Sequence, residues 1–230
     1  MRTKRIHPLV AILGNAILDK FGAQPQSSFR GNGSGVPELV DIPTIQRLKR
    51  KQGAVVLILG KRESGKTVLA QRLAQILERP TYAVSPEQRT PDWIQELKLE
   101  EIAQRPPPYS TLILDDIPAY FSSRDYTNPL VRIVEQLIPV VRHRRRIILI
   151  FSSQSSGQSD KWCMDADLVL MKPLNFLYPE TERGAVKKLA DKVMPIFAEM
   201  SEYQQKRHCY IFSDGYVGLA RIQHPSQMLS

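Results

Sequence analysis

Residues 60–67 of this 230-residue chain read GKRESGKT, which matches the spacing G-x-x-x-x-G-K-[ST] at every fixed position. Gly60 and Gly65 permit tight turns that point successive backbone N–H groups toward one anion. Lys66 adds a positive charge for the β- and γ-phosphates, and the Thr67 hydroxyl suits Mg²⁺. The pattern therefore predicts a site for a nucleoside triphosphate, with ATP and Mg²⁺ as its occupants. The residues predicted to contact the nucleotide are Gly60, Lys61, Arg62, Glu63, Ser64, Gly65, Lys66 and Thr67.

The segments on either side of this loop support the prediction. Ala54 to Leu59 form an apolar run that is typical of a buried strand. After the loop, Leu69, Leu73, Ile76 and Leu77 recur at helical spacing. A helix that begins at the loop points the positive end of its dipole at the phosphates. Because strand, loop and helix follow in this order, a glycine-rich surface turn is the less favoured interpretation.

An acidic pair follows a second apolar run, in the sequence TLILDD at residues 111–116. A carboxylate at the carboxyl end of a neighbouring parallel strand can hold Mg²⁺ opposite Thr67, and we assign this role to Asp115. We expect Asp116 to orient or deprotonate the attacking water. An aspartate pair can also simply end a strand and begin a turn. Its position downstream of the phosphate loop favours the catalytic interpretation.

A further strand is predicted at Ile147 to Phe151, followed by two serines and Gln154. At the end of a strand beside the acidic one, Gln154 would lie near the γ-phosphate and could sense hydrolysis. A helix predicted from Asn128 precedes this strand and ends in the basic run RHRRR at residues 142–146. One of its arginines could reach the nucleotide of a neighbouring subunit. The alternatives are a solvated cationic face and an ordinary polar strand end.

The remaining patterns complete a predicted α/β fold, a RecA-like P-loop NTPase with a mainly parallel central sheet flanked by helices. We expect an N-terminal helical appendage and linker over residues 1–50 and the P-loop domain over residues 51–230. A hairpin is predicted over Cys209 to Ile222, with the turn Ser213-Asp214-Gly215. Other predicted elements are helices at 7–21, 43–51, 91–102 and 181–207, the last broken or kinked at Pro195, a linker at 24–37, and strands at 81–84 and 167–171.

Composition adds two expectations. The net charge of +9 favours a polyanionic partner, of which nucleic acid is the obvious candidate. The only cysteines, Cys163 and Cys209, are far apart and outside any metal-ligand spacing, which indicates a reduced cytoplasmic protein. The sequence has no apolar run near the roughly 18 residues that a membrane span needs.

In their order, GKRESGKT, LILDDI, a helix ending in RHRRR and the strand IILIFSSQ resemble the FtsK/HerA superfamily of ring-forming, DNA-pumping ATPases. That superfamily includes viral genome-packaging ATPases, and the resemblance covers about residues 54–172. It implies a homo-oligomeric ring, most simply a hexamer, acting on double-stranded DNA in the host cytoplasm or on the virion. A capsid or virion component would be a further partner. It also implies Gln154 as sensor and a trans-acting arginine that aligns with Arg142 or Arg144.

Two features depart from that superfamily: the register of the arginine is ambiguous, and the acidic pair differs. The usual Asp-Glu pair is Asp-Asp here, so the carboxylate of Asp116 reaches one methylene less far. Two alternatives to a DNA motor stay open: a phage assembly and secretion ATPase of the Zot type, and an AAA+ loader of a helicase or transposase. A small-molecule kinase would need an acceptor pocket and lid that the sequence does not indicate.

Overall fold

A computed structural model describes residues 35–85, 90–102, 106–116, 146–154, 166–182 and 184–223. Several predictions fall on residues outside these ranges. They concern the helix at residues 7–21, most of the linker at 24–37, the helix from Asn128, Arg142, Arg144 and Cys163.

Within the described ranges, eight strands form one mixed sheet. Across the sheet their order is β3-β2-β4-β5-β1-β6-β7-β8. The pairs from β3 to β6 are parallel, and β7 and β8 add an antiparallel hairpin. This topology confirms the predicted fold class. In chain order the strands are β1 (Ala54–Leu59), β2 (Thr81–Val84), β3 (Ile94–Glu96), β4 (Thr111–Leu114), β5 (Ile148–Ser153), β6 (Leu168–Met171), β7 (His208–Ser213) and β8 (Tyr216–Arg221).

The described helices are α1 (Pro43–Arg50), α2 (Lys66–Leu77), α3 (Tyr178–Thr181), α4 (Gly184–Ala198) and α5 (Glu202–Arg207), with 3₁₀ turns at Leu39–Asp41 and Leu99–Glu101. Helix α1 matches the short helix predicted from Pro43, and its buried Ile45 and Leu48 share an apolar cluster with α2. The division of the chain at residue 50 stays a prediction. None of the described helices is long and apolar enough to cross a bilayer.

Strand β1 lies in the interior of the sheet, and all six of its residues are buried. Val55, Leu57 and Leu59 belong to one apolar cluster together with residues of α4. The alternate residues of the strand belong to a second cluster with residues of α1 and α2. Helices on both faces explain why β1 reads as a continuous apolar run rather than an alternating one.

The helix predicted at residues 91–102 is wrong. Residues Ile94–Glu96 instead form β3, which pairs in parallel with β2, and the Leu97 N–H donates to the Ala83 carbonyl. Trp93, one of the apolar positions behind the prediction, is 43% exposed. Pairing with β2 satisfies backbone groups of an otherwise open sheet edge, and this tertiary gain outweighs a short helical pattern.

The helical region predicted at residues 181–207 is divided among α3, α4 and α5. Pro195 lies inside α4 without ending it. The helix ends instead at Ala198, and Ser201 caps the next helix by accepting a hydrogen bond from the Gln204 N–H. The structure thus places the break several residues after the proline.

Candidate active site

Three adjacent parallel strands bring the predicted site residues to one edge of the sheet. Leu59 of β1 pairs with Ser153 of β5, and Leu114 of β4 pairs with Phe151 of β5. The chain therefore leaves all three strands at the same carboxyl edge, where ligands bind in open α/β sheets. The prediction that the strand ending before Gln154 lies beside the acidic strand is confirmed.

The phosphate loop turns directly into α2. Gly65 has a φ of +89°, a left-handed conformation that suits glycine. A Cβ at Gly60 would lie 2.6 Å from the Cβ of Lys172 and 2.7 Å from the Oγ of Ser64, so no side chain fits there. Among the described residues no side chain caps α2, and the backbone N–H groups of its first turn remain available to a phosphate.

Lys66 begins α2, and its side chain is almost fully buried. Its ammonium group donates a 3.0 Å hydrogen bond to the carbonyl oxygen of Lys61 across the loop. Burial lowers the pKa of Lys66, while the negative charges of Asp116 and Asp115 act in the opposite direction. The cation is thus held beside both acidic residues, where it can neutralise a phosphate.

Asp115 is fixed through both carboxylate oxygens. The Thr67 hydroxyl donates a 2.7 Å hydrogen bond to Oδ2, and the Ser152 hydroxyl donates to Oδ1. The same Ser152 oxygen accepts a 2.8 Å hydrogen bond from the backbone N–H of Asp116. One buried serine on β5 therefore orients both members of the acidic pair.

Asp116 has one carboxylate oxygen that is fixed and one that has no partner among the described residues. Its Oδ2 accepts a 2.6 Å hydrogen bond from the Gln154 side-chain amide. Its Oδ1 is buried and makes no hydrogen bond to the described part of the chain. The residue has a φ of +48°, a left-handed conformation that aspartate tolerates better than most residues. The turn after β4 thus aims a partly satisfied carboxylate at the phosphate loop.

These groups share a cavity of about 380 Å³, within the usual size range of ligand sites. It is polar on the loop side and carries the acidic pair opposite. The residues that line it are Arg62, Glu63, Gly65, Lys66, Thr67, Val68, Ser85, Asp115, Asp116 and Gln154. The cavity brings together five of the eight predicted nucleotide residues with the acidic pair and Gln154, whereas Gly60, Lys61 and Ser64 do not line it.

The donor set at this cavity fits Mg²⁺ rather than a metal that needs a protein cage. Within the described ranges no three or more His, Cys, Asp or Glu side chains are grouped so that they could hold a metal ion by themselves. Mg²⁺ is usually held by one or two carboxylates together with waters and substrate phosphates. The Thr67 hydroxyl and the Asp115 carboxylate, which are in contact, offer such a pair.

Ser152 is the functional residue that sequence reasoning missed. A single hydroxyl in an apolar strand matches no motif, so the sequence alone predicts no role for this serine. The signal that could have indicated its role is its position. Ser152 comes directly after Phe151, which pairs with Leu114 at the end of β4, so it lies level with the acidic pair. A buried hydroxyl at that level of the sheet must find partners, and it donates to the Asp115 carboxylate and accepts from the Asp116 N–H.

A phosphate loop on the parallel strands of this sheet, with a buried lysine and an acidic pair at their carboxyl edge, defines a P-loop ATPase. The family model of the ATPase family associated with various cellular activities (AAA) matches residues 56–169. The chain therefore carries an AAA-type P-loop ATPase domain. No curated protein matches the chain.

Solved structures of viral NTPases have a similar fold. The genome packaging NTPase B204 from Sulfolobus turreted icosahedral virus 2, in complex with AMPPCP, superposes with a TM-score of 0.53. The two sequences are 14% identical over 76% of this chain and 100% of that one. The DNA-packaging ATPase B204 from Sulfolobus turreted icosahedral virus gives a TM-score of 0.50, at 15% identity over 76% and 99% of the two chains. At such identities the likeness concerns the fold.

Proposed function

We propose that this ATPase hydrolyses ATP by activating water with Asp116 and uses the reaction to move double-stranded DNA through a ring of its own copies. The observation that supports the hydrolytic role is the carboxylate of Asp116. Its Oδ2 is held by Gln154, and its buried Oδ1 has no partner among the described residues. A carboxylate in this state is suited to accept a proton from one water molecule at the γ-phosphate.

In the proposed reaction, the water oxygen attacks the γ-phosphorus and its proton passes to the carboxylate of Asp116. The bond between the γ-phosphorus and the β–γ bridging oxygen breaks, and ADP leaves with the bonding electrons. Lys66 neutralises charge on the β- and γ-phosphates. Mg²⁺, held by Thr67 and Asp115, would supply Lewis-acid stabilisation of the phosphate oxygens. Gln154 positions Asp116 and would report the loss of the γ-phosphate through that contact.

Double-stranded DNA is the proposed partner, and viral genome packaging is the proposed process. Three observations favour them: the net charge of +9, the ordered FtsK/HerA-like motifs and the fold shared with packaging NTPases. We place the chain in the FtsK/HerA superfamily and expect a hexameric ring, with Arg142 or Arg144 completing the site of the next subunit. A capsid or virion component is a further proposed partner. The proposed location is the host cytoplasm or the virion.

Contacts to DNA should be made mainly to phosphates through lysines and arginines, so affinity should fall steeply with salt. The test is the ATPase rate of the full chain with long double-stranded DNA, with single strands of equal length and without DNA. We expect double-stranded DNA to give the largest stimulation at 50 mM salt and a much smaller one at 200 mM. Rates that are equal with and without DNA at low salt would contradict the proposal.

Two variants connect this stimulation to the site. Asp116→Asn should abolish turnover in every condition, and Asp92→Asn, a matched change at an exposed carboxylate, should not alter it.

Light scattering with AMPPCP and DNA tests the ring. An assembly of about six copies is expected, and a monomer in every condition would exclude a trans-acting arginine.

The AAA family match supports a second candidate, a loader that recruits a helicase or transposase. A loader would hydrolyse ATP without moving along DNA. Displacement of a third strand from a triplex on double-stranded DNA separates the two functions. ATP-dependent displacement supports the motor, and DNA-stimulated hydrolysis without displacement supports the loader.

A further inference from the structure

Lys172 follows β6 directly, and its side chain is fully buried. Its ammonium group donates to three backbone carbonyl oxygens, at 2.8 Å to Gln205, 2.8 Å to Lys206 and 2.6 Å to His208. An ammonium group has three donors, so this lysine is fully satisfied without a carboxylate among the described residues. A buried cation that uses carbonyl groups alone is unusual enough to need an explanation.

All three carbonyl oxygens lie where α5 ends and β7 begins. The last carbonyls of a helix have no partner within the helix, and they form the negative end of its dipole. Lys172 donates hydrogen bonds to carbonyls at the carboxyl end of α5 and places a positive charge at the negative end of the helix dipole. The other end of this short helix is held by the capping box of Ser201 and Gln204.

The rest of the Lys172 side chain lies against the phosphate loop. Its Cβ occupies the space that a side chain at Gly60 would need. At the other end of the loop, a Cβ on Gly65 would lie 3.6 Å from the Lys206 carbonyl and 3.9 Å from both Cε and Nζ of Lys172. Both glycines of the motif therefore pack against Lys172, and Gly65 also against the end of α5.

The backbone reinforces this contact. The Lys172 N–H donates to the Leu59 carbonyl at 2.7 Å, and the Lys61 N–H donates to the Pro173 carbonyl at 2.8 Å. Charges on the outer surface correspond as well. Glu202 and Lys206 of α5 form an ion pair with each other at 2.9 Å, to which Lys61 and Glu63 of the loop add only weaker attractions. The helix thus lies along the loop that receives the phosphates.

We propose that Lys172 is a positioning residue that links the nucleotide loop to α5, so that nucleotide binding and the order of α5 depend on each other. The link needs the nucleotide-binding loop, and it is independent of any movement of DNA. It predicts positive coupling: nucleotide steadies α5, and a loosened α5 weakens nucleotide binding.

The first experiment compares Lys172→Met with Lys192→Met, a matched change at an exposed position of α4, in the full chain. Hydrogen exchange of a peptide covering residues 201–208 is measured with and without AMPPCP, together with AMPPCP affinity, KM and kcat. In the wild type and in Lys192→Met, AMPPCP should slow this exchange by about fivefold or more. In Lys172→Met the slowing should disappear and KM should rise more than kcat falls. Unchanged slowing in Lys172→Met, or none in the wild type, would overturn the proposal.

A second variant decides the matter if Lys172→Met does not fold. Ser201→Ala removes the exposed cap at the amino-terminal end of α5. The equilibrium constant for opening of this helix should rise about fivefold. If the link exists, this variant should weaken AMPPCP binding by about two- to fivefold although Ser201 does not line the nucleotide cavity. Unaltered affinity in Ser201→Ala, with faster exchange at residues 201–208, would refute the link. Neither result depends on DNA, so the proposed motor can fail or succeed separately.

Discussion

Ser152→Ala is the change whose effect follows most directly from the geometry of the site. The hydroxyl makes one hydrogen bond to the charged Asp115 and accepts one from the Asp116 N–H. A hydrogen bond to a charged group contributes about 1.5–3 kcal/mol, and a buried N–H left without an acceptor costs about 1–3 kcal/mol. Since a water molecule can fill part of the space, we expect the free energy of unfolding to fall by about 2–4 kcal/mol.

The same change should slow catalysis because it loosens both carboxylates at once. Asp115 keeps its contact with Thr67, so the site is weakened rather than dismantled. We expect kcat to fall about 10- to 100-fold, equivalent to about 1.4–2.7 kcal/mol in the activation free energy. Nucleotide affinity should change little, since the phosphate loop is untouched.

Steady-state turnover and urea unfolding on the same preparation test this expectation. Ser110→Ala is the control: Ser110 is also buried, and its hydroxyl donates a 2.7 Å hydrogen bond to the Pro107 carbonyl outside the nucleotide cavity. The control should lose about 1 kcal/mol of stability and keep its kcat. A Ser152→Ala enzyme that is destabilised but turns over within twofold of the wild type would refute the idea that this serine orients the acidic pair.

Two further predictions concern Gln154 and Lys172. Gln154→Ala removes the partner of Asp116 Oδ2, so kcat should fall about tenfold with AMPPCP affinity unchanged, and an equal loss of affinity would contradict this role. Burial lowers the pKa of Lys172 to about 8, whereas the unfolded chain has the ordinary lysine value of 10.5. Between these two pKa values the unfolded chain binds more protons at this lysine than the folded chain does. The free energy of unfolding should therefore increase as pH rises through this window, by about 3 kcal/mol in total. The unfolding free energy of the wild type minus that of Lys172→Met measures this gain from pH 8 to 10, and a constant difference would contradict it. The neighbouring Cys209, whose pKa is raised to about 12 by burial, stays a thiol throughout.

The parts of the fold that sequence patterns predicted are those in which local chemistry and tertiary context agree. The phosphate loop, the acidic strand and the hairpin each contain residues whose types are tied to one backbone geometry. Ile94–Glu96 contradicts the predicted helix because a three-residue edge strand forms only through pairing with the exposed edge of β2, and no local sequence pattern reports that edge. Local sequence patterns do not predict the contacts of Ser152 and Lys172 for a similar reason. Each acts through a partner 33 or more residues away, at the Asp115 carboxylate and at the carbonyls that end α5.

Residues 37 and 38, just before α1, cover part of one border of the sheet. Strand β8 forms one border of the sheet, and near Arg221 that border is already occupied. The Arg221 N–H donates to the Pro37 carbonyl at 2.8 Å, and its guanidinium pairs with Glu38. A neighbouring copy therefore cannot lengthen the sheet in register through this end of β8 without first displacing residues 37 and 38. Copies of the chain that leave this segment in place must therefore meet elsewhere than at this end of β8.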